Sequence, residues 1–505
     1  MAESAPAEAI SKSNEHNFAY QDLRDWLAEA EKLGELETIT GASWQEDIGM
    51  AATVAKYRDG SPALLFDEVP GCAKGFRVLC NLFGGKRKNL TLGFPEHLDK
   101  VELSEAWAGV YSHEQGDLIP PVYVDNGPIF ENIMTGDDID VLAFPSPMWH
   151  EEDGGRYIGT GTYNVTQDPE TGWYNLGCYR VMVIDDKTVA YNSAPGKHGR
   201  IHHEKHVAKG EKMPVVMVVG GEPLAFLLGG YEVPSGVSEF DVMGGLRGKP
   251  VELVRGKETG LPFPADAEIV IEGWVDPEEV VPEGPFGDWC GSYTEPGRVR
   301  PKCDVAAIYY RNDPIILGFP PQHLPDEFSR FRAITRSALM KRNIEAAGVP
   351  DIQQVWCHEV GGSRMLTGVS IKARYPGHAT QAGHIASQCH AGAYAGKWVI
   401  VTDEDINVTD LEELIWAALM CCDPATEMDI IRNAWTSNAD PRLHPDDKAK
   451  GNVTNSRLII DATKPFHWAD RLPKSTKPKP EILEAARKKF GHLASGNSRR
   501  WRKPK

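Results

Sequence analysis

The amino-acid sequence predicts a multidomain protein that combines the α+β and α/β classes, and three observations support that prediction. At 505 residues the chain is too long for one hydrophobic core, so about two to four domains are expected. Between about residues 150 and 320, short β-type runs alternate with turns, which is typical of a mostly antiparallel sheet or barrel. Beyond a helical stretch, β-type and α-type patterns alternate, which indicates an α/β domain.

The first predicted helix lies in YQDLRDWLAEAEKLGEL, after a polar segment, residues 1–18, that we expect to be loose. Its apolar residues recur every three or four positions, as on one face of a helix. These residues are Leu23, Trp26, Leu27, Ala30 and Leu33. Gly34 follows the last of them and can end the helix.

Several apolar runs predict strands in the central part of the chain. VMVI (181–184) and TVAY (188–191) flank a polar turn, and so do VAAIYY (305–310) and the PIILG that follows it. Each of these two pairs predicts a hairpin. VVMVV (215–219) and EIVIEGWV (268–275) predict two further strands.

A long connector helix is predicted in PDEFSRFRAITRSALMKRNIEAAG. Asp326 can cap its start and Gly348 can close its end, and at about 1.5 Å per residue it would exceed about 30 Å. The pattern beyond it alternates between strand and helix. It comprises a strand in IQQVWCHEV, a helix near 378–395, a buried strand in KWVIVTDEDI and a helix in DLEELIWAALMCC.

The charge of the chain argues against nucleic-acid binding as its main function. Seventy-two acidic residues against 54 Lys and Arg give a net charge of −18, which repels phosphate backbones. The tail is the exception, because residues 473–505 hold eleven Lys or Arg and two acids. Either this tail is a solvated end, or it packs on an acidic neighbouring subunit.

Cysteine usage and hydropathy predict a cytoplasmic protein. The nine cysteines are odd in number and form no C-x-x-C pair, which suits a reducing compartment. The first residues lack a basic segment followed by an apolar one, and no run of 18 apolar residues occurs. We therefore expect neither a signal peptide nor a membrane span.

Two acids, Glu283 and Asp288, flank a Gly-Pro-Phe-Gly bend in VPEGPFGDW. Proline presets φ at the first corner of a turn and glycine accepts backbone angles that other residues avoid, so the segment predicts one rigid loop with an acid at each end. Without further residues, two interpretations of this loop stay open: it is a solvated acidic turn, or it places two carboxylates at a reacting centre.

Further polar residues form a mixed oxygen and nitrogen set. Asn175 and His198, together with Glu239, offer an amide oxygen, a ring nitrogen and a carboxylate, which suit Mn²⁺ or Mg²⁺ better than zinc. His202 and His206 in HHEKH stand four apart, a spacing that binds zinc on a helix. Without the H-E-x-x-H order, that segment favours a solvated polar helix over a zinc hydrolase.

Together these stretches resemble the UbiD family of decarboxylases. Its E-G-P-F-G-[DE] signature is present at 283–288 and its N-x4-R at 175–180, with its histidine and glutamate at His198 and Glu239. GKWVIVTDEDINVTDLEELIWA (396–417) resembles the family's lysine, here Lys397, and the acidic motif after it. NSRLIIDATKPF (455–466) resembles the family's C-terminal I-D-A-T-K. The likeness runs in order over about residues 20–470.

The resemblance implies an architecture with a central split β-barrel that binds flavin and a C-terminal α/β domain that dimerises. The implied limits are a loose N-terminus (1–18), a cap subdomain (19–120), the split barrel (121–324), the connector helix (325–348), the oligomerisation domain (349–472) and the basic tail (473–505). The implied assembly is a homodimer or hexamer, with the tail on the partner subunit.

By the same resemblance, the cofactors are prenylated FMN, Mn²⁺ or Mg²⁺, and K⁺, with a flavin prenyltransferase as the supplier of the flavin. Asn175, His198 and Glu239 would bind the divalent metal, which bridges to the flavin phosphate. The other cofactor contacts would come from Leu176, Gly177, Cys178, Tyr179, Arg180, Lys197 and Lys397.

The implied reaction is reversible, non-oxidative decarboxylation of an aromatic or heteroaromatic carboxylic acid, through a covalent adduct of substrate and cofactor. An electron-sink cofactor is needed because no ordinary side chain accepts the electrons that CO₂ leaves behind. Arg180 would orient the carboxylate and pair with Glu283, and Asp288 would deliver the proton after CO₂ leaves.

One position departs from the ferulate-decarboxylase branch of the family, which carries Glu where this chain has Asp288. The shorter side chain leaves room for a bulkier substrate or requires a different approach, which favours an aryl or heteroaryl acid. Three alternatives stay open: a cinnamate-type, acrylate-type or 4-hydroxy-3-polyprenylbenzoate decarboxylase, a metal- or flavin-binding protein without turnover, and a zinc hydrolase.

Overall fold

The computed structural model describes residues 17–110, 118–231, 233–473 and 475–491. Most of the loose N-terminus (1–18) and the second half of the basic tail (473–505) lie outside those residues. The helices are α1 Leu23–Lys32, α2 Asp47–Ala55, α3 Arg87–Leu92, α4 Lys100–Val110, α5 His198–Lys209, α6 Pro223–Gly229, α7 Glu239–Arg247, α8 Glu327–Ala346, α9 His378–Gln388, α10 His390–Ala393, α11 Leu411–Cys421, α12 Pro445–Ala449 and α13 Pro480–Phe490.

The strands fall into four sheets. They are β1 Leu36–Thr40, β2 Ala63–Asp67, β3 Arg77–Cys80, β4 Val122–Tyr123, β5 Asn132–Thr135, β6 Tyr157–Gly159, β7 Tyr163–Gln167, β8 Tyr174–Gly177, β9 Val181–Val183, β10 Thr188–Tyr191, β11 Met213–Gly220, β12 Glu252–Arg255, β13 Pro262–Pro264, β14 Ile269–Glu283, β15 Arg298–Tyr310, β16 Ile315–Leu317, β17 Ile352–Cys357, β18 Leu366–Ile371, β19 Trp398–Asp403, β20 Met428–Trp435 and β21 Thr454–Ala462.

The N-terminal region is a four-stranded sheet, β1-β2-β3-β16, with α1 beside it. Asp22 caps α1 by accepting a hydrogen bond from the Asp25 N–H, and the helix buries Trp26, whose Nε1 donates to Thr91 Oγ1 at 2.9 Å. The predicted hairpin between VAAIYY and PIILG is wrong. The second run forms β16, which leaves the central sheet and pairs parallel to β3, after a turn in which Asp313 adopts φ 51°.

The central sheet has the order β6-β9-β10-β15-β14-β11-β7-β8, with β5 added beside β15. Its pairings are antiparallel, as the sequence predicts, and they include the predicted β9–β10 hairpin. Within the described residues the order ends at β6 and at β8, so the sheet is open. The three-stranded sheet β13-β12-β4 is separate from it.

The connector helix α8 spans Glu327–Ala346, within the predicted segment. Asp326 accepts the Ser329 N–H at 2.8 Å and Ser329 Oγ accepts the Asp326 N–H at 2.9 Å, so the two residues close a capping box. Gly348 follows the helix at φ 85°, where glycine is favoured. The helix packs against α4 and β17 and so joins the N-terminal and C-terminal regions.

The C-terminal sheet has the order β17-β18-β19-β21-β20, with β18, β19 and β21 parallel. Successive residues of a strand face opposite sides of a sheet. Val401 of β19 packs with buried alanines of α9, whereas Ile400 belongs to the core around Leu414 of α11. Helices therefore cover both faces, as an α/β domain requires. In the described part of the chain, every helix is too short or too polar to cross a membrane.

Candidate active site

An ion pair between Arg180 and Glu283 forms the centre of the candidate site. Glu283 ends β14 and Arg180 directly precedes β9, so two strands of the central sheet hold the pair. Arg180 Nε donates to Glu283 Oε1 at 2.7 Å and Nη2 donates to Oε2 at 2.9 Å, which is the bidentate arrangement that orients a guanidinium most firmly. The Glu283 side chain is 2% exposed and that of Arg180 is 26% exposed.

Three further residues, which the sequence did not single out, support Glu283. The Tyr157 hydroxyl donates to Oε1 at 3.0 Å and Asn192 Nδ2 donates to Oε2 at 3.4 Å. Arg300 Nε lies 3.8 Å from the same Oε2 and donates to Asn192 Oδ1 at 3.0 Å. With both oxygens surrounded by donors, the Glu283 side chain is fixed in position and anchors Arg180.

The electrostatics of the pair favour a charged guanidinium. Burial lowers the pKa of Arg180, but the hydrogen bond and the charge of Glu283 outweigh that effect, so the pKa lies above its ordinary value. Tyr157 and Asp288 add to the same effect. Burial and the Glu283 charge raise the pKa of Tyr157, which keeps its hydroxyl a donor. The Arg180 guanidinium also lies 5.1 Å from the centre of the buried Phe286 ring.

The predicted bend begins at Gly284, which adopts φ 81° directly after the strand. Glu283 is the last residue of β14 and Asp288 directly follows the bend, so an acid lies at each end of it, as the sequence predicts, but only Glu283 is held by the sheet. The loop is anchored where the Gly154 N–H donates to Pro285 O at 2.8 Å. The half-buried Asp288 accepts the Trp289 N–H at 2.7 Å and the Thr294 hydroxyl at 2.9 Å.

The expected metal ligands come from three elements, one strand and two helix starts. Asn175 is in β8, His198 begins α5 and Glu239 begins α7, where Ser238 caps the helix. Asn175 Oδ1 and His198 Nδ1 are 3.1 Å apart, and Glu239 Oε2 accepts the Leu176 N–H at 2.9 Å. Burial raises the pKa of Glu239 to about 8, although the hydrogen bond from the Leu176 N–H lowers it. A carboxyl oxygen, an amide oxygen and a ring nitrogen are together a donor set that fits a divalent cation.

The residues between Asn175 and Arg180 are packed mainly through Tyr179. A Cβ on Gly177 would lie 2.3 Å from the Tyr179 ring, so only glycine fits there. The Tyr179 hydroxyl accepts the Gly199 N–H at 2.9 Å, which ties the segment to the start of α5. Cys178 Sγ donates to Phe226 O at 3.2 Å. This short, fixed segment carries one expected metal ligand, Asn175, at one end and Arg180 at the other.

The two lysines of the expected site differ in their placement. Lys197 is the residue before α5, adjacent to His198. Lys397 lies in the C-terminal region, where its Nζ donates to the buried Asp440 Oδ1 at 2.8 Å. Among the described residues, no hydrogen bond or ion pair joins Lys397 to the Arg180 pair or to the metal set.

The prediction of a solvated helix in HHEKH is wrong in one respect. The segment is helical, but His202, His203 and His206 are buried. Burial lowers the pKa of His202 to about 4, and its Nδ1 lies 2.9 Å from Thr166 Oγ1. Within the described ranges, no group of three or more His, Cys, Asp or Glu side chains is arranged to hold a metal ion. The zinc-hydrolase hypothesis has no support there.

Family models match three consecutive parts of the chain. All three are described as domains of 3-octaprenyl-4-hydroxybenzoate carboxy-lyase: the N-terminal domain over residues 27–107, the Rift-related domain over 122–323 and the C-terminal domain over 329–462. Together they span the candidate site and both regions that flank it.

Curated relatives and solved structures match along the same length. A pyrrole-2-carboxylic acid decarboxylase from Pseudomonas aeruginosa is 30% identical over 91% of this chain and 94% of its own length. A phenolic acid decarboxylase from Streptomyces is 29% identical over 89% and 93%. The UbiD-class enzyme HmfF from Pelotomaculum thermopropionicum, in complex with FMN, is 26% identical with a TM-score of 0.81, over 92% of this chain and 99% of that one. These matches confirm the multidomain mixed α/β fold class.

Proposed function

Because this chain belongs to the UbiD family of carboxy-lyases, we propose that it catalyses reversible, non-oxidative decarboxylation of an aromatic or heteroaromatic carboxylic acid with prenylated FMN. The observation that carries the proposal is the bidentate Arg180–Glu283 pair beside the Asp288 loop. The relatives named for pyrrole-2-carboxylic and phenolic acids support the substrate class. The HmfF structure, which contains FMN, supports a flavin cofactor.

In the proposed mechanism, Arg180 orients the substrate. Two of its nitrogens bind Glu283, and within the described residues its third nitrogen, Nη1, donates no hydrogen bond. That nitrogen is therefore free to bind the carboxylate that leaves as CO₂. Glu283, held by Tyr157 and Asn192, keeps the guanidinium from turning away. Fixing the scissile carboxylate in this way lowers the entropic part of the barrier.

Asp288 is the proposed proton donor. Prenylated FMN, when bound, supplies the electron sink that the side chains lack. The carbon that loses CO₂ must gain one proton, and Asp288 stands on a loop that begins at the residue after Glu283. Being half-buried, its carboxyl regains a proton from solvent after each turnover. Asp288 is shorter than the Glu that the ferulate-decarboxylase branch carries at this position. The shorter side chain leaves room for a substrate whose ring is bonded directly to its carboxylate.

Asn175, His198 and Glu239 are the proposed ligands of Mn²⁺ or Mg²⁺, which would compensate the charge of the flavin phosphate in an acidic protein. Leu176, Gly177, Cys178, Tyr179, Lys197 and Lys397 are the further proposed cofactor contacts. K⁺ as a second cation and a homodimer as the assembly remain proposals of the same kind.

The experiment that tests the proposal is production with and without a flavin prenyltransferase. The visible spectrum of each preparation is recorded, and CO₂ release is measured from a panel that includes pyrrole-2-carboxylic, phenolic, cinnamic and 4-hydroxy-3-polyprenylbenzoic acids. Flavin absorbance in both preparations, with CO₂ release only after coproduction, is the expected result. The absence of flavin absorbance and of CO₂ release in both would refute the proposal.

A further inference from the structure

Both oxygens of the Asp288 carboxyl are held by residues of its own loop. Oδ1 accepts the Trp289 N–H at 2.7 Å and Oδ2 accepts the Thr294 hydroxyl at 2.9 Å. The backbone closes the same turn, since the Asp288 N–H donates to Ser292 O at 3.0 Å and the Gly291 N–H donates to Asp288 O at 2.8 Å. The direction of the carboxyl therefore depends on where Trp289 and Thr294 are placed.

The same two residues are in contact with the C-terminal region. Lys448, in α12, donates from Nζ to Thr294 O at 3.1 Å. The Trp289 ring packs so closely on Gly362 that a Cβ there would lie 2.8 Å from it, and the Arg364 guanidinium lies 5.0 Å from the ring centre. Both supports of the Asp288 carboxyl are thus anchored in a part of the chain that begins beyond the connector helix.

On its other side, the loop is fixed to the central region. The Tyr293 hydroxyl donates to Asp153 Oδ1 at 3.1 Å, and the Gly154 N–H donates to Pro285 O. Burial raises the pKa of Asp153. The loop therefore bridges the two regions, and Thr294 is the residue that bonds both to the Asp288 carboxyl and to the C-terminal region.

We propose that Thr294 and Lys448 are positioning residues, through which docking of the C-terminal region aims the Asp288 carboxyl at the carbon that CO₂ leaves. This inference rests on the proposed function, in which Asp288 returns the proton. It gives the C-terminal region a part in the reaction: the proton donor is correctly aimed only while Lys448 holds Thr294. In the described part of the chain neither residue bonds to Arg180 or Glu283, which orient the scissile carboxylate in the proposed mechanism, so their effect falls on proton return and not on the loss of CO₂.

The reaction separates these two steps. First the carbon–carbon bond breaks and CO₂ leaves, and then a carbon–hydrogen bond forms with the proton from Asp288. Exchange of ¹³CO₂ into the acid reverses only the first step, whereas net CO₂ release needs both. A residue that merely supports the fold slows the two rates alike, but a residue that aims the proton donor slows net release alone.

The kinetic test compares Thr294→Val and Lys448→Met with Lys450→Met, using pyrrole-2-carboxylic acid or whichever acid of the panel turns over fastest. Lys450 is an exposed lysine next to α12 and serves as the matched control. Loss of a positioning contact is expected to slow net CO₂ release about tenfold in Thr294→Val and Lys448→Met, with ¹³CO₂ exchange within about twofold of wild type. Lys450→Met should match wild type in both rates.

A second measurement needs neither substrate nor cofactor. Hydrogen–deuterium exchange over residues 286–296 is expected to be faster in Lys448→Met than in wild type, because the loop loses its anchor, and unchanged in Lys450→Met. Equal exchange in Lys448→Met and wild type would overturn the inference, and so would parallel loss of net release and ¹³CO₂ exchange in Thr294→Val. A wild-type protein that releases CO₂ from no acid instead overturns the proposed function, and the catalytic part of this inference with it.

Discussion

Replacing Gly154 with alanine tests whether the position of the Asp288 loop governs activity. A Cβ at that position would lie 2.0 Å from Gly284 O and 2.3 Å from Gly284 C, both backbone atoms, whereas Cβ contacts under 3.0 Å are essentially never observed. The loop must therefore move by about 1 Å, and a displacement of that size costs about 100-fold in rate. We expect kcat for CO₂ release to fall about 100-fold in Gly154→Ala.

The neighbouring glycine provides the control. A Cβ on Gly155 would lie 2.5 Å from the terminal methyl of Met182, the end of a flexible side chain that can turn aside. Because the loop need not move, Gly155→Ala should keep kcat within about threefold of wild type. Its cost should fall on stability instead, at about 1–3 kcal/mol, the usual cost of slight overpacking. If Gly154→Ala carries as much flavin as wild type and keeps its kcat within about threefold of wild type, the position of the loop does not limit the reaction and the reasoning fails.

Three further changes have defined outcomes. Glu283→Gln leaves the largely buried Arg180 without an anion and should lower the free energy of unfolding by about 3 kcal/mol in urea titrations, together with loss of CO₂ release. Glu239→Gln should reduce bound Mn²⁺ at least about tenfold by elemental analysis, because losing a ligand costs more than losing the partner of a ligand. Burial lowers the pKa of His358 to about 4, so between about pH 6.5 and 4 the unfolded chain binds a proton that the folded one does not. The His358 contribution to the free energy of unfolding should therefore fall by up to about 3 kcal/mol as pH drops through that window, measured as the difference between wild type and His358→Gln in urea titrations at each pH.

Elements that depend on neighbours in sequence were predictable. The β9–β10 hairpin and the α8 capping box between Asp326 and Ser329 involve residues a few positions apart, and the sequence pattern contains all of the relevant chemistry. The β16 strand was not predictable in the same way, because it pairs with β3, more than 230 residues earlier. Its short apolar run suits either sheet, and only the space left beside β3 decides between them.

The residues of the candidate site likewise differ in whether the local sequence could predict them. Arg180, Glu283 and Asp288 lie in motifs that resemble a family's, whereas Tyr157 and Asn192 carry no local signal and reach Glu283 from 126 and 91 residues away. Arg300 did have a signal. The antiparallel register between β14 and β15 pairs Glu283 with Arg298 and Val281 with Arg300, so a longer hairpin prediction would have brought that arginine to the acid.

The sequence obscured that longer hairpin because two prolines, Pro277 and Pro282, follow the predicted strand at 268–275. Proline lacks the N–H that a sheet needs and is tolerated at bulges and edges. In the structure the register shifts between Val275 and Val280, so Pro277 falls within the irregularity and the strand continues to Glu283. The continued strand places Glu283 on the rigid sheet and leaves Asp288 alone on the loop. The two acids are therefore held differently, one by the central sheet and one through contacts with the C-terminal region, which fits an anchor and a proton donor.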